Sequence, residues 1–138
     1  MSSSIVIDST IVVYSLTDKT TLGNASRWFL GSNDFSLIAP PLLLAETEST
    51  INLKRLNREI TRKEREAARA GLAALNIEIL HLPQTHETAR NIADSLRLPR
   101  VYDATFAALA MLRGVDYFTA DLAFYNAARR KYPFVKTL

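Results

Sequence analysis

The chain has 138 residues, 48% of them hydrophobic and 22% charged, a net charge of +3 and no cysteine. That length suits one domain, residues 1–138, with a real core, and the missing cysteine excludes disulfides, zinc–thiolate sites and thiol chemistry. No apolar run reaches the roughly 18 residues of a membrane helix, and Met1-Ser2-Ser3-Ser4 leads into an apolar run without a basic leader, so neither an anchor nor a signal peptide is expected.

Ser4-Ile5-Val6-Ile7 is a short continuous apolar run rich in β-branched residues, the pattern of a strand buried on both faces. Asp8-Ser9-Thr10 ends it, and Asp18 to Thr21 is a polar break. Asn24 to Leu30 reads as a short helix with Ala25, Trp28 and Phe29 inward, closed by Gly31-Ser32-Asn33-Asp34. Phe35 to Ala39 is a second strand. Pro40-Pro41 then opens a helix to about Asn57, proline being tolerated in the first turn. On it Leu42, Ala45, Leu53 and Leu56 share one face with Glu46 among them, while Glu48 points the other way with Asn52 and Arg55 as a solvated acid. A carboxylate on a core-facing side is costly without a partner, which singles out Glu46. Thr61-Arg62-Lys63-Glu64 matches a capping box and starts a helix to about Leu75. Ile77 to Leu82 is a third strand ended by Pro83, and Thr85 to Leu98 an amphipathic helix with Ala89, Ile92, Ala93 and Leu96 inward.

The stretch Arg100–Asp121 organises the rest. Asp103 opens a helix in which, up to Gly114, only Thr105 and Arg113 are polar, so the helix is expected inside the domain, buried all round. Tyr117-Phe118-Thr119 follows with strand composition, and Asp121 stands where that strand ends. Leu122 to Tyr132 is a last helix and Phe134 to Leu138 a closing strand. Strands separated by helices imply a parallel sheet with helices on both faces, a three-layer α/β/α domain. Such sheets bind ligands beyond the carboxyl ends of their strands, where strand order reverses. Asp8 and Asp121 lie at such ends; Asp116 is at the opposite end of its strand.

Four acids thus converge as candidates: Asp8, Glu46, Asp103 and Asp121. Each has a plainer role open to it. Asp8 could bond turn backbone, Asp103 and Asp121 could be helix N-caps, and Glu46 could meet a buried arginine or backbone group. Taken together they repel one another, so some must protonate unless a cation intervenes. A hard divalent cation relieves that repulsion and prefers oxygen ligands. Metal-bound water is a ready nucleophile and the same ions neutralise phosphate, so an acid-only crevice suits Mg²⁺- or Mn²⁺-assisted hydrolysis of a phosphodiester.

Ile5-Val6-Ile7-Asp8-Ser9-Thr10, Leu44-Ala45-Glu46, Val101-Tyr102-Asp103-Ala104 with Ala107 to Ala110, and Phe118-Thr119-Ala120-Asp121 resemble, in order and spacing, the four acidic motifs of the PIN-domain family, and the chain length resembles its single-domain VapC-type toxins. The resemblance covers essentially the whole chain. It implies a central sheet of about five strands in the order 3-2-1-4-5. It also implies a Mg²⁺- or Mn²⁺-dependent endoribonuclease, a homodimer, and an antitoxin that blocks the acidic groove. Asp8, Glu46, Asp103 and Asp121 carry over as the metal-binding acids. Thr10 and Thr119 carry over as hydroxyls bonding a carboxylate or a metal-bound water. Many relatives have Ser or Asn where Thr10 stands.

The resemblance makes RNA the expected substrate, and basic segments could hold it. Lys54, Arg55, Arg58, Arg62, Lys63, Arg65 and Arg69 outnumber Glu59, Glu64 and Glu66, and Arg129, Arg130 and Lys131 form a second cluster. Charged helical faces also serve solubility alone. Tyr14, Trp28, Tyr102 and Tyr125 could stack on bases, with Trp28 expected in the core. His81 and His86 flank Pro83 away from the crevice, without zinc spacing. A cytoplasmic location fits the missing cysteine. A catalytically silent PIN-like module that binds RNA or protein is the alternative function. A receiver-like phosphoacceptor is disfavoured because Asp8-Ser9-Thr10 lacks a second acid.

Overall fold

The structure, a computed structural model, describes residues 3–32 and 34–138. The leader reading at Met1 and Ser2 and the Asn33 position of the predicted loop lie outside the described residues. Five strands form one parallel sheet: β1 (Ser3–Ile7), β2 (Phe35–Ala39), β3 (Ile77–Ile79), β4 (Asp116–Thr119) and β5 (Val135–Thr137). Their order is β3-β2-β1-β4-β5, so the sheet reverses between β1 and β4, as the family resemblance implies. Ile7 pairs with Phe118 at that reversal. The β1 triplet Ile5-Val6-Ile7 is wholly buried, as a central parallel strand covered on both faces must be.

Among the described residues seven helices complete the three-layer α/β/α fold: α1 (Ser9–Thr17), α2 (Thr21–Gly31), α3 (Leu42–Leu56), α4 (Arg62–Ala74), α5 (Thr85–Leu96), α6 (Tyr102–Arg113) and α7 (Leu122–Ala128). The predicted strands and all six predicted helices are present, with the third strand ending at Ile79 and not at Leu82. Beyond them comes α1, whose Ile11-Val12-Val13 run has poor helix propensity. Burial overrides propensity there, since Ile11, Val12 and Val13 all lie in the core while Asp8 caps the first turn. The capping box at Thr61 is complete in both directions. On α5, Ala89, Ile92 and Ala93 are buried and Leu96 packs against the core as predicted.

Three face assignments need correction. On α2, Ala25 is exposed and Trp28 is 78% exposed. Phe29 packs against the core as expected, but the buried residues are Gly23 and Ser26, because α2 crosses the end of α1 so closely that a Cβ at Gly23 would stand 2.0 Å from the Asp18 carbonyl oxygen. On α3 the buried row is Leu43, Thr47 and Ile51, of which Leu43 joins the main core and Ile51 meets Ile60, Ala68 and Leu16; Leu53 and Leu56 are exposed, as is Ala45. Glu46 is therefore not on the core-facing row but at its half-buried edge. On α6, Ala104 and Phe106 through Ala110 are buried as expected, but Tyr102 at its start and Met111 and Leu112 in its last turn stand out in solvent. Gly114 ends that helix with φ +66°, the left-handed conformation that glycine adopts without strain. The last helix stops at Ala128, short of the predicted Tyr132. Among the described residues no helix is long and apolar enough to cross a membrane.

Candidate active site

The sheet reversal brings the ends of β1 and β4 together, and Asp8 sits in that gap. Its side chain is 1% exposed yet accepts five hydrogen bonds. Oδ1 receives the backbone N–H groups of Thr10 (3.1 Å) and Ile11 (3.3 Å) and the Thr10 hydroxyl (2.5 Å). Oδ2 receives the hydroxyls of Thr119 (2.5 Å) and Tyr117 (2.9 Å). Both carboxyl oxygens are thus fully engaged, Oδ1 by two N–H groups and a hydroxyl and Oδ2 by two hydroxyls. Burial pushes the Asp8 carboxyl up, and the hydroxyls of Thr10, Thr119 and Tyr117 pull it back. The network extends outward, for Ala120 N–H donates to the Thr10 hydroxyl and Asp121 N–H to the Thr119 hydroxyl, each at 3.0 Å. Both threonine hydroxyls thus hold Asp8 and the turn that leads to Asp121.

Asp121 is the N-cap of α7, accepting from Phe124 N–H at 3.1 Å. Asp8 likewise caps α1, so the plain roles open to these two acids are both real in this fold. Asp103 is different. The N-cap of α6 is Val101, and Asp103 lies within the first turn, half-buried and bonding no cap N–H. Its carboxyl is pushed up to about 7, first by burial and then by the negative charges of Asp121, Asp8 and Glu46, with a carboxyl–carboxyl hydrogen bond to Asp121 favouring the protonated form. Glu46 comes from α3, where its Oε1 accepts from the Ser9 hydroxyl at 3.2 Å. Burial raises it, the Ser9 bond lowers it, and Asp8 raises it again. Asp103 therefore feels the charges of the other three predicted acids, and Glu46 that of Asp8. Asp116 stays exposed at the far end of β4.

Two residues of this network were not singled out in the sequence. Tyr117 is fully buried, and its hydroxyl faces Asp8. The signal was its place two residues before Thr119, hence on the same face of β4. Ser9 lies within the Asp8-Ser9-Thr10 motif and turns toward Glu46 instead of Asp8.

The basic candidates divide. Lys54 lines a cavity together with Ser9 and Thr10, one wall away from the acids. Arg55 and Arg58 line a separate cavity with Arg62 and Arg65 near the end of α3. Arg129 and Arg130 are exposed just past the end of α7, away from its Asp121 cap, and the Arg129 guanidinium lies over the Tyr125 ring at 5.8 Å. Tyr102 flanks the cleft containing Glu46. His81 and His86 are exposed.

Among the described residues no three of these side chains are drawn close enough to hold a metal ion unaided. The donor set consists of carboxylates and hydroxyls alone, and Asp8 already has both oxygens engaged. This fits a hard divalent cation that keeps several waters and takes few carboxylates directly, and not a closed cage.

The family model for the PIN domain matches residues 5–130. A search of curated protein sequences finds no match. Solved structures are similar in fold at low identity. A chain of VapBC2 from Rickettsia felis, crystallised with a DNA fragment from their promoter, is 13% identical with a TM-score of 0.64, covering 98% of this chain and 97% of that one. PAE2754 from Pyrobaculum aerophilum is 17% identical with a TM-score of 0.64, over 92% and 87%. VapC20 from Mycobacterium tuberculosis, described as a Sarcin-Ricin loop cleaving toxin, is 17% identical with a TM-score of 0.61, over 83% and 86%.

Proposed function

Because the chain belongs to the PIN-domain family, whose nucleases generally use a divalent metal ion, we propose that it is a Mg²⁺- or Mn²⁺-dependent endoribonuclease acting as the toxin of a toxin–antitoxin pair. The observation that carries this reading is the electrostatic convergence on Asp103. Acids from β1, α3 and the end of β4 all raise its proton affinity, a repulsion with no purpose in a packed core and an obvious one beside a cation. Asp8, Glu46, Asp103 and Asp121 are the catalytic, metal-holding acids in this reading. When bound, the cation supplies a polarised water as nucleophile and neutralises charge on the phosphate.

The chain's own groups prepare that chemistry. Tyr117, Thr10 and Thr119 fix both oxygens of Asp8, so the innermost acid cannot rotate. Ser9 orients Glu46, and the α7 cap orients Asp121. Asp103, held near 7 by burial and the neighbouring charges and so about half protonated at neutral pH, is a carboxyl that a bound cation would ionise fully. Lys54, Arg55 and Arg58 on one side and Arg129 and Arg130 on the other hold the RNA backbone. The similarity to VapC20 and to a VapBC2 chain supports an RNA substrate and a cognate antitoxin. A homodimer, a cytoplasmic location and a single domain over residues 1–138 complete the proposal.

The test is cleavage of structured RNA by purified protein with Mg²⁺ or Mn²⁺, against the same protein in EDTA. Asp8→Asn and Asp121→Asn are expected to abolish cutting. Either substituted protein cutting at the parent rate refutes the assignment.

A further inference from the structure

Between α1 and α3 lies a cavity that shares a wall with the acid crevice and contains none of its acids. It encloses about 190 Å³ and is lined by Ser9, Thr10, Val13, Tyr14, Thr50 and Lys54. Ser9 and Thr50 also line the adjoining cleft that holds Glu46 and Tyr102. Its volume is below the roughly 300 Å³ at which sites for drug-sized ligands begin, so it has room for one planar ring and not for a folded peptide segment.

The lining changes character in one direction. Glu46, Thr50 and Lys54 recur every four residues and so share one face of α3, with Lys54 about 12 Å along the axis from Glu46. Nearest the acids are hydroxyls already committed inward: Ser9 donates to the Glu46 side chain and Thr50 to the Glu46 carbonyl. Their lone pairs remain as acceptors. Val13 and the half-buried Tyr14 supply the apolar portion. Lys54 supplies the cation; its acidic neighbours are Glu59, at a marginal 3.9 Å, and Asp18. The arginines Arg55, Arg58, Arg62 and Arg65 line a separate cavity nearer the end of α3. Acids, acceptors, an aromatic ring and a cation form the set that a strand's cleaved bond, neighbouring base and its phosphate would meet.

We propose that this cavity is a nucleotide subsite of the RNA strand, seating the base next to the cleaved bond against Tyr14 and its phosphate on Lys54. It rests on the ribonuclease reading for what occupies the crevice beside it. An aromatic platform and a lysine serve single strands because every base has a π-face.

Fluorescence anisotropy of a labelled single-stranded RNA, measured in EDTA so that nothing is cut, tests it. Tyr14→Ala is expected to weaken binding about 5- to 150-fold, the usual effect of removing one stacking platform, while Tyr14→Phe binds like the parent. Lys54→Gln is expected to lower the slope of log affinity against log salt by about 0.7. Both variants can be checked for a parental melting temperature. Unchanged affinity in a folded Tyr14→Ala protein, or an unchanged salt slope in Lys54→Gln, overturns the subsite. If the parent cuts no RNA under any metal condition the ribonuclease reading fails separately, and a loss of RNA affinity in Tyr14→Ala still supports the subsite.

Discussion

Replacing Tyr117 by Phe deletes one oxygen from the floor of the site and nothing else. The ring is fully buried, with Phe106 stacked at 6.1 Å and Phe124 tilted at 5.9 Å between centroids, so phenylalanine keeps the packing and leaves no void. What disappears is the O–H donor 2.9 Å from Asp8 Oδ2. A hydrogen bond to a charged group contributes about 1.5–3 kcal/mol. Thr119 still donates to the same oxygen, so the lower part of that range applies, about 1.5–2 kcal/mol. For a chain of this size that is a fall of about 5–8 °C in melting temperature, readable by scanning calorimetry of the metal-free protein at neutral pH. Repeating the substitution in an Asp8→Asn background closes a double-mutant cycle, and the loss should shrink because no buried charge remains to be solvated. A Tyr117→Phe protein that melts within a degree of the parent refutes the reasoning. An equal loss in both backgrounds does so too, since the hydroxyl would then be acting on something other than Asp8.

Asp103 sits near 7 in the fold against an ordinary value of 3.8, so its protonated form stabilises the native state fully below about pH 4. That contribution is lost as pH rises to about 7, a loss of about 1–2 kcal/mol after allowing for partial exposure. Melting temperatures of metal-free protein at pH 5 and pH 8 should show it, and Asp103→Asn should flatten the difference; a parent that gains stability over this window contradicts it. Gly23→Ala drives a methyl to 2.0 Å from the Asp18 carbonyl oxygen and 2.6 Å from its carbon, both backbone atoms that cannot swing aside. It should cost more than about 2 kcal/mol in denaturant titration. Trp28→Ser, at a side chain 78% exposed, should change stability by less than about 0.5 kcal/mol, and a larger loss would place the indole in the core after all.

The elements were mostly legible because their patterns are unambiguous. Ile5-Val6-Ile7 can be little other than a central strand, and the alanine-rich run after Asp103 little other than a buried helix. The face assignments failed where composition offered more than one answer. In Leu42-Leu43-Leu44 three adjacent leucines allow three faces, and the true one is fixed by Ile51 packing toward Leu16 of α1 and Ala68 of α4, contacts that periodicity on one helix does not contain. Trp28 misled for a related reason. Hydrophobicity suggested an inward indole, whereas the close crossing of α2 over α1 requires glycine and serine on that side. Helix α1 escaped notice because its β-branched residues argue for a strand until Asp8 is seen to cap it. The site followed a different logic. Its acids and the Thr10 and Thr119 hydroxyls are legible in their motifs, but that Tyr117 donates to Asp8 and Ser9 to Glu46 follows only once β1, β4 and α3 are brought together.

The claim beneath all of this is that carboxylates from separate segments make one cation site. Calorimetric titration of Mn²⁺ into the parent, Glu46→Gln and Asp103→Asn proteins measures it without reference to any substrate. The account predicts binding to the parent and at least about tenfold weaker binding to each variant, in line with loss of one charged oxygen ligand. Equal Mn²⁺ affinity in all three proteins would contradict it.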